Sequence, residues 1–244
     1  PPRASGSEGV SGTSATSTVN LTPVNDAARV TVSSANPTFT EAAGVGTQAG
    51  AVTVFSGSAV SVGPADEVAQ LVKGLTFTVG GLADGANEKI VVDGTTITLG
   101  ANSGPLTTAT NGMTYNVTIA GSTATVVLTK AAGVSAANVN TLINAISYQN
   151  TNTDNPTGGN RAFTITALQD TGGGSDTSVP NLASTVSVVA VNDAPTATNL
   201  SAAQTYTEDT PLGLTGIAVT DVDSANVTVS LTLSAPAAGA LSTA

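Results

Sequence analysis

Residues 114–129 read TYNVTIAGSTATVVLT. Apolar side chains stand at Tyr115, Val117 and Ile119 before the Gly121-Ser122 pair, with Asn116 and Thr118 between them, and at Val126 and Leu128 after it. Alternation of period two on both sides of a turn dipeptide predicts two half-buried antiparallel strands joined as a hairpin. The same alternation recurs outward from this point at Leu75/Phe77/Val79, Phe163/Ile165/Ala167, Val186/Val188/Ala190 and Val227/Val229/Leu231/Leu233. Asp93-Gly94 and Asn111-Gly112 lie between such runs and tolerate the positive φ of tight turns. One segment departs from the pattern. Val139, Leu142, Ile143 and Ile146 follow a helical spacing, and Ser135 can cap the start, which predicts a short amphipathic helix between Ser135 and Tyr148, lying over one open end of the sheets. Many short strands, frequent turn signals and one helix predict an all-β sandwich of Greek-key type.

Composition agrees with that reading and removes most chemistry. The chain has 244 residues, 40% of them apolar, with aromatics at 3% and charged residues at 9%. It is long enough to bury a substantial core in one large or two ordinary domains. Absence of Cys excludes disulfides and thiolate metal ligation; absence of His and Trp removes the commonest general base, the commonest zinc ligand and the best aromatic platform for a sugar. Without His there is no Ser-His-Asp arrangement, and Gly172-Gly173-Gly174 lacks the lysine and helix of a phosphate loop, so it reads as a flexible turn. An enzyme is not expected. Sixteen acidic against six basic residues give a net charge of −10, which repels nucleic acid and anionic lipid and makes cations the natural partners. No apolar run approaches the ~18 residues of a membrane span, so membrane insertion is not expected, and the opening PPRASGSEGVSG lacks a signal-peptide layout.

The chain also repeats itself. Val24-Asn25-Asp26-Ala27 returns as Val191-Asn192-Asp193-Ala194, and Thr38-Phe39-Thr40-Glu41 returns as Thr205-Tyr206-Thr207-Glu208, both displaced by 167 residues. Two motifs in one register define a complete unit over 27–193, preceded by the C-terminal strand of an earlier repeat (1–26) and followed by the N-terminal part of a later one (194–244).

The few acids cluster at the punctuation points of this repeat: Asp26 and Asp193 close the VND motifs, Glu41 and Glu208 sit near the first strand of each unit, and Asp221-Val222-Asp223 forms a D-x-D pair. Calcium takes six to eight hard oxygen ligands, several of them carboxylate, and a junction can gather them from both sides. VNDAPT (191–196), TYTEDTPL (205–212) and VTDVDS (219–224), together with LADGANEKIVVDG (82–94) and ISYQNTNTDNPTGGNRAFTITALQD (146–170), resemble the cadherin-like repeats of giant secreted bacterial adhesins of the RTX class. The resemblance implies a tandem immunoglobulin/cadherin-like β-sandwich and calcium bound between units by Glu41, Asn192, Asp193, Asp221 and Asp223. At the earlier junction VNDA is followed by Ala28 rather than Pro, and Gly63-Pro64-Ala65-Asp66-Glu67 stands where the later unit has its D-x-D, so Asp26, Asp66 and Glu67 are the corresponding candidates there. Asn-Asp before Ala-Pro also reads as a plain turn.

Asp84 and Glu88, with Asp93, read either as solvated acids at hairpin turns or as a second calcium site or carboxylate pair. Tyr115, Tyr148, Phe163 and Tyr206 read as core. The expected role is an extracellular, secreted or cell-surface spacer stiffened by calcium, partnered by neighbouring repeats of its own chain. The alternatives are a subunit of a self-assembling fibre or surface layer built from copies of itself, and a module that binds carbohydrate or protein.

Overall fold

The computed structural model describes residues 17–20, 24–44, 46–63, 70–201 and 203–241. The strands in chain order are β1 (Arg29–Ser34), β2 (Thr38–Thr40), β3 (Val52–Thr53), β4 (Phe55–Ser61), β5 (Val72–Gly80), β6 (Glu88–Val92), β7 (Thr95–Thr98) and β8 (Ser103–Thr107). They continue as β9 (Thr114–Ala120), β10 (Thr123–Val134), β11 (Ser147–Asn150), β12 (Gly159–Asp170), β13 (Thr177–Ser178), β14 (Leu182–Val189), β15 (Thr196–Thr198) and β16 (Ala218–Thr220). The helix α1 (Ala136–Asn144) separates β10 from β11.

The larger sheet runs β2-β14-β12-β5-β10-β9-β8, with β13 paired to β12; the smaller runs β3-β11-β6-β7; β1 pairs with β4 and β15 with β16. Among the described residues every pairing is antiparallel except β2 with β14. The hairpin expected at 114–129 forms with Gly121 at φ 59°, and its register sets Val126 opposite both Val117 and Phe77, and Leu128 opposite both Tyr115 and Leu75. Apolar residues thus meet apolar residues on one face, which holds the register because a slip of one residue would turn the whole set to solvent. Asp93 and Gly94, at φ 50° and 74°, join β6 to β7 as expected.

The two sheets share one core. Tyr148 of the smaller sheet sets its ring edge-on to Phe39 of β2 (centroids 5.8 Å apart) and to Phe163 of β12 (6.2 Å). With Phe77, Ile90, Val126, Ile165 and Val186 these form a fully buried cluster, and the architecture is all-β in layers consistent with a sandwich. Ser135 caps α1, its hydroxyl accepting from the Asn138 N–H at 3.2 Å, and Val139, Leu142 and Ile143 are buried. On the other face Asn140 Oδ1 accepts from the Val60 N–H at 2.8 Å and Asn144 Oδ1 from the Ser58 N–H at 2.9 Å, so the helix occupies the free edge of β4. That cover removes an open strand edge.

Three sequence readings need correction. Phe163 and Ile165 face the core, but the register slips after Ile165, so Leu168 rather than Ala167 is buried. A β-bulge adds one residue and exchanges the faces beyond it. The alternating stretch Val227 to Leu233 forms no strand, with Val229 and Leu231 exposed, because no described segment pairs with it. Tyr206, counterpart of the buried Phe39, is 62% exposed for the same reason. The strand expected within 1–26 falls largely on residues outside the described ones; 17–20 and 24–28 carry none.

Candidate functional site

The parallel pairing of β2 with β14 decides where the acids go. It sets Thr40 beside Val189, and the Glu41 N–H donates to the Val189 carbonyl at 2.9 Å, so Glu41 lies against the chain as it leaves β14. Glu41 is only 3% exposed; its Oε2 accepts from the Val191 N–H at 3.0 Å and its Oε1 has no partner. Asp193 is 2% exposed; its Oδ1 accepts from the Gly44 N–H and its Oδ2 has no partner. The Asp193 N–H donates to Asp223 Oδ2 at 2.6 Å. Asp221 Oδ1 accepts from the N–H groups of Asp223 (2.9 Å) and Ser224 (2.8 Å), a turn that holds Asp223 toward residue 193. Asn192 Nδ2 donates to the Asp193 carbonyl at 2.7 Å. Glu41, Asp193 and Asp223 therefore come together, while Asn192 and Asp221 shape the adjoining backbone.

Burial, more than anything else, pushes the Glu41 carboxyl above its ordinary pKa; the Val191 N–H opposes this, and Asp193, Asp223 and Asp154 add to it. Among the described residues, the side-chain charges acting on Glu41 are those of three aspartates. Asp154, in the segment between β11 and β12, is the residue that sequence reading missed: it lies in a stretch quoted for its resemblance, but neither periodicity nor the repeat marks it.

A buried carboxylate oxygen without a partner is costly, on the order of 1–3 kcal/mol or more. Protonation or a cation relieves that cost, and a donor set made wholly of carboxylate and carbonyl oxygen suits calcium, at ~2.3–2.6 Å, rather than a softer metal. Among the described residues no three such side chains are already disposed around one ion. Three carboxylate oxygens point instead at backbone N–H groups, those of Val191, Gly44 and Asp223's partner Asp193, so ligation requires these side chains to turn toward a shared centre.

The earlier junction is built differently. Asp26 is exposed, and Asp66 and Glu67 lie outside the described residues. Asn25 carries the contact: its Nδ2 donates to Asp170 Oδ1 (3.2 Å) and to the Ser175 carbonyl (3.0 Å). Asp170, fully buried at the end of β12, also accepts from the Ala28 and Gly172 N–H groups at 2.7 and 2.9 Å. Gly172 is required here, since a Cβ on it would come within 1.8 Å of Asn25 Oδ1. The glycine run read as a flexible turn is thus a docking surface for the preceding segment.

Asp84, Glu88 and Asp93 do not form one acid cluster. Arg161, almost fully buried, donates from Nε to Glu88 Oε1 and lies 3.6 Å from Asp84, while Tyr148 donates its hydroxyl to Glu88 at 3.1 Å. Burial raises the Glu88 pKa, with Arg161 opposing. Asp93 belongs to a separate network, accepting from the Thr108 hydroxyl and from the Asn111 N–H at 3.0 Å. No described helix is long and apolar enough to cross a membrane. No family model, curated protein or solved structure matches the chain.

Proposed function

We propose that this chain is a segment of an extracellular repetitive adhesin or matrix protein, a spacer in which calcium at the junction near residue 193 joins successive units and stiffens the chain. The fold reading that goes with it is a cadherin-like Greek-key sandwich over 27–193, flanked by parts of neighbouring repeats. A core that runs from Ala28 to Val188 supports those bounds.

The observation that carries the proposal is the meeting of Glu41, Asp193 and Asp223 with two buried, unpartnered carboxylate oxygens. Glu41 comes from the first strands of the unit, Asp193 from its exit, and Asp223 from the chain beyond. Two carboxylates ~4 Å apart repel by about 1 kcal/mol in water and about 4 kcal/mol at the effective dielectric of a protein surface. With no cation, that repulsion loosens the link. A calcium ion reverses the sign and makes each acid a clamp on the others. Asp154, an exposed acid whose charge acts on Glu41, is a further ligand candidate.

Titration of the 244-residue chain with calcium alone, followed by calorimetry, tests this. Binding in the range of extracellular calcium modules, on the order of 10⁻⁴–10⁻³ M, is expected. Millimolar calcium then raises the melting temperature and a chelator returns it. No heat of binding and no shift would remove calcium from the account.

A second reading, a subunit that assembles with copies of itself, is favoured by the exposed Tyr206, Leu212, Leu214 and Leu241, which line one groove. Sedimentation that stays monomeric with concentration would exclude it.

A further inference from the structure

The segment between β11 and β12 reaches the acid site through a chain of side-chain hydrogen bonds. At its two ends it is anchored to the core: the Thr151 N–H donates to the Asn87 carbonyl at 2.9 Å, and the Thr157 N–H donates to Asp84 at 2.9 Å. Asn150 Nδ2 also donates to Asp84, which faces the buried Arg161. Within the segment Asn152 folds a turn around residue 154, its Oδ1 accepting from the Asp154 N–H at 3.2 Å and its Nδ2 donating to the Asn155 carbonyl at 2.9 Å.

Gln48 ties this turn to the strand end that carries Glu41. Its Oε1 accepts from the Ala42 N–H at 3.1 Å and from the Ala49 N–H at 2.7 Å, and its Nε2 donates to the Asn152 carbonyl. One amide therefore holds the backbone next to Glu41 and the backbone two residues before Asp154. We propose that Gln48 is a positioning residue for the junction cation site, fixing the distance between Glu41 and Asp154 so that both carboxylates address one ion.

The inference rests on the calcium reading of the site. It also rests on an observation independent of the acid count, the buried Glu41 Oε1 that has no partner. Groups that orient ligands without touching the ion commonly carry about 10–100-fold in metal affinity. Gln48 is half-buried, so its replacement leaves the core intact.

The test is calcium titration of four full-length chains: wild type, Gln48→Met, Asp154→Asn and the double variant. Methionine keeps the length of the side chain and removes its donor and acceptor. The expected result is an affinity about tenfold weaker in Gln48→Met, with no further loss when Gln48→Met is added to Asp154→Asn, because the amide acts through that carboxylate. A residue that merely stabilised the loop would lower the calcium-free melting temperature and leave the affinity alone; that outcome, or independent losses that multiply in the double variant, overturns the proposal. A wild-type chain that binds no calcium overturns the calcium reading itself, and this is known before any variant is compared.

Discussion

Glu41 is held in a conflict of its own making: strand pairing buries it, one oxygen is satisfied by the Val191 N–H, the other has no partner, and Asp193, Asp223 and Asp154 act on its charge. Glutamine at this position keeps an acceptor for that N–H and removes the charge. Glu41→Gln is expected to raise the calcium-free melting temperature by about 2–4 °C, the equivalent of about 1 kcal/mol in a domain of this size, and to abolish the calcium-induced rise. Calorimetry with and without chelator reads both. The same conflict sets a pH dependence. A carboxyl whose folded pKa is raised binds protons more readily in the folded state, so Glu41, and Glu88 with it, make the calcium-free protein more stable as pH falls through their folded values toward 4.5. Asp176 acts in the opposite sense. Its hydrogen bond to Lys73, 2.6 Å long, with help from Thr177 and Gln169, holds its pKa at about 2. Its contribution is complete above the unfolded value of ~3.9 and is lost as pH falls toward 2. Thermal melts in chelator are therefore expected to peak at mildly acidic pH and to decline below about pH 4; a monotonic fall from neutrality would contradict the raised Glu41.

At the scale of elements, α1 combines two tasks that sequence periodicity reveals only in part. Its apolar side was readable from Val139, Leu142 and Ile143; its polar side, where Asn140 and Asn144 occupy the edge of β4, carries no pattern of its own. Ser135→Ala removes the bond to the Asn138 N–H and is expected to cost about 1 kcal/mol, measured by chemical denaturation. The strands show the same division. Alternation identified β5, β9, β10 and β14 because each has one buried face, but the bulge beyond Ile165 was hidden, since an extra residue leaves composition unchanged while exchanging Ala167 for Leu168 in the core. Val227 to Leu233 alternates just as regularly and forms no strand, because pairing supplies what a pattern cannot. For the site, repetition marked Asp193 and Glu41, and the D-x-D pair, read through the resemblance, marked Asp223. Asp154, Gln48 and Asp170 were not marked: the first two sit on irregular backbone whose path depends on tertiary contacts, and Asp170, at the end of β12, meets partners far away in sequence.

Across the whole molecule, the described segments before and after the core that runs from Ala28 to Val188 meet it by different chemistry. In the earlier segment the Asn25 amide donates to Asp170 and Ser175, whereas in the later one Asp223 accepts from the Asp193 N–H beside the buried carboxylates of Glu41 and Asp193. In the proposed function, calcium converts this second contact from loose to rigid. The chain has no cysteine, so spin labels can be introduced at Thr118→Cys on β9 and Ala218→Cys on β16, both exposed. The distance distribution between them, measured by pulsed electron resonance in chelator and in millimolar calcium, reads that conversion. A broad distribution that collapses to a narrow one with calcium, and stays broad in Glu41→Gln, is the predicted result; a width unchanged by calcium in the wild-type chain would contradict it.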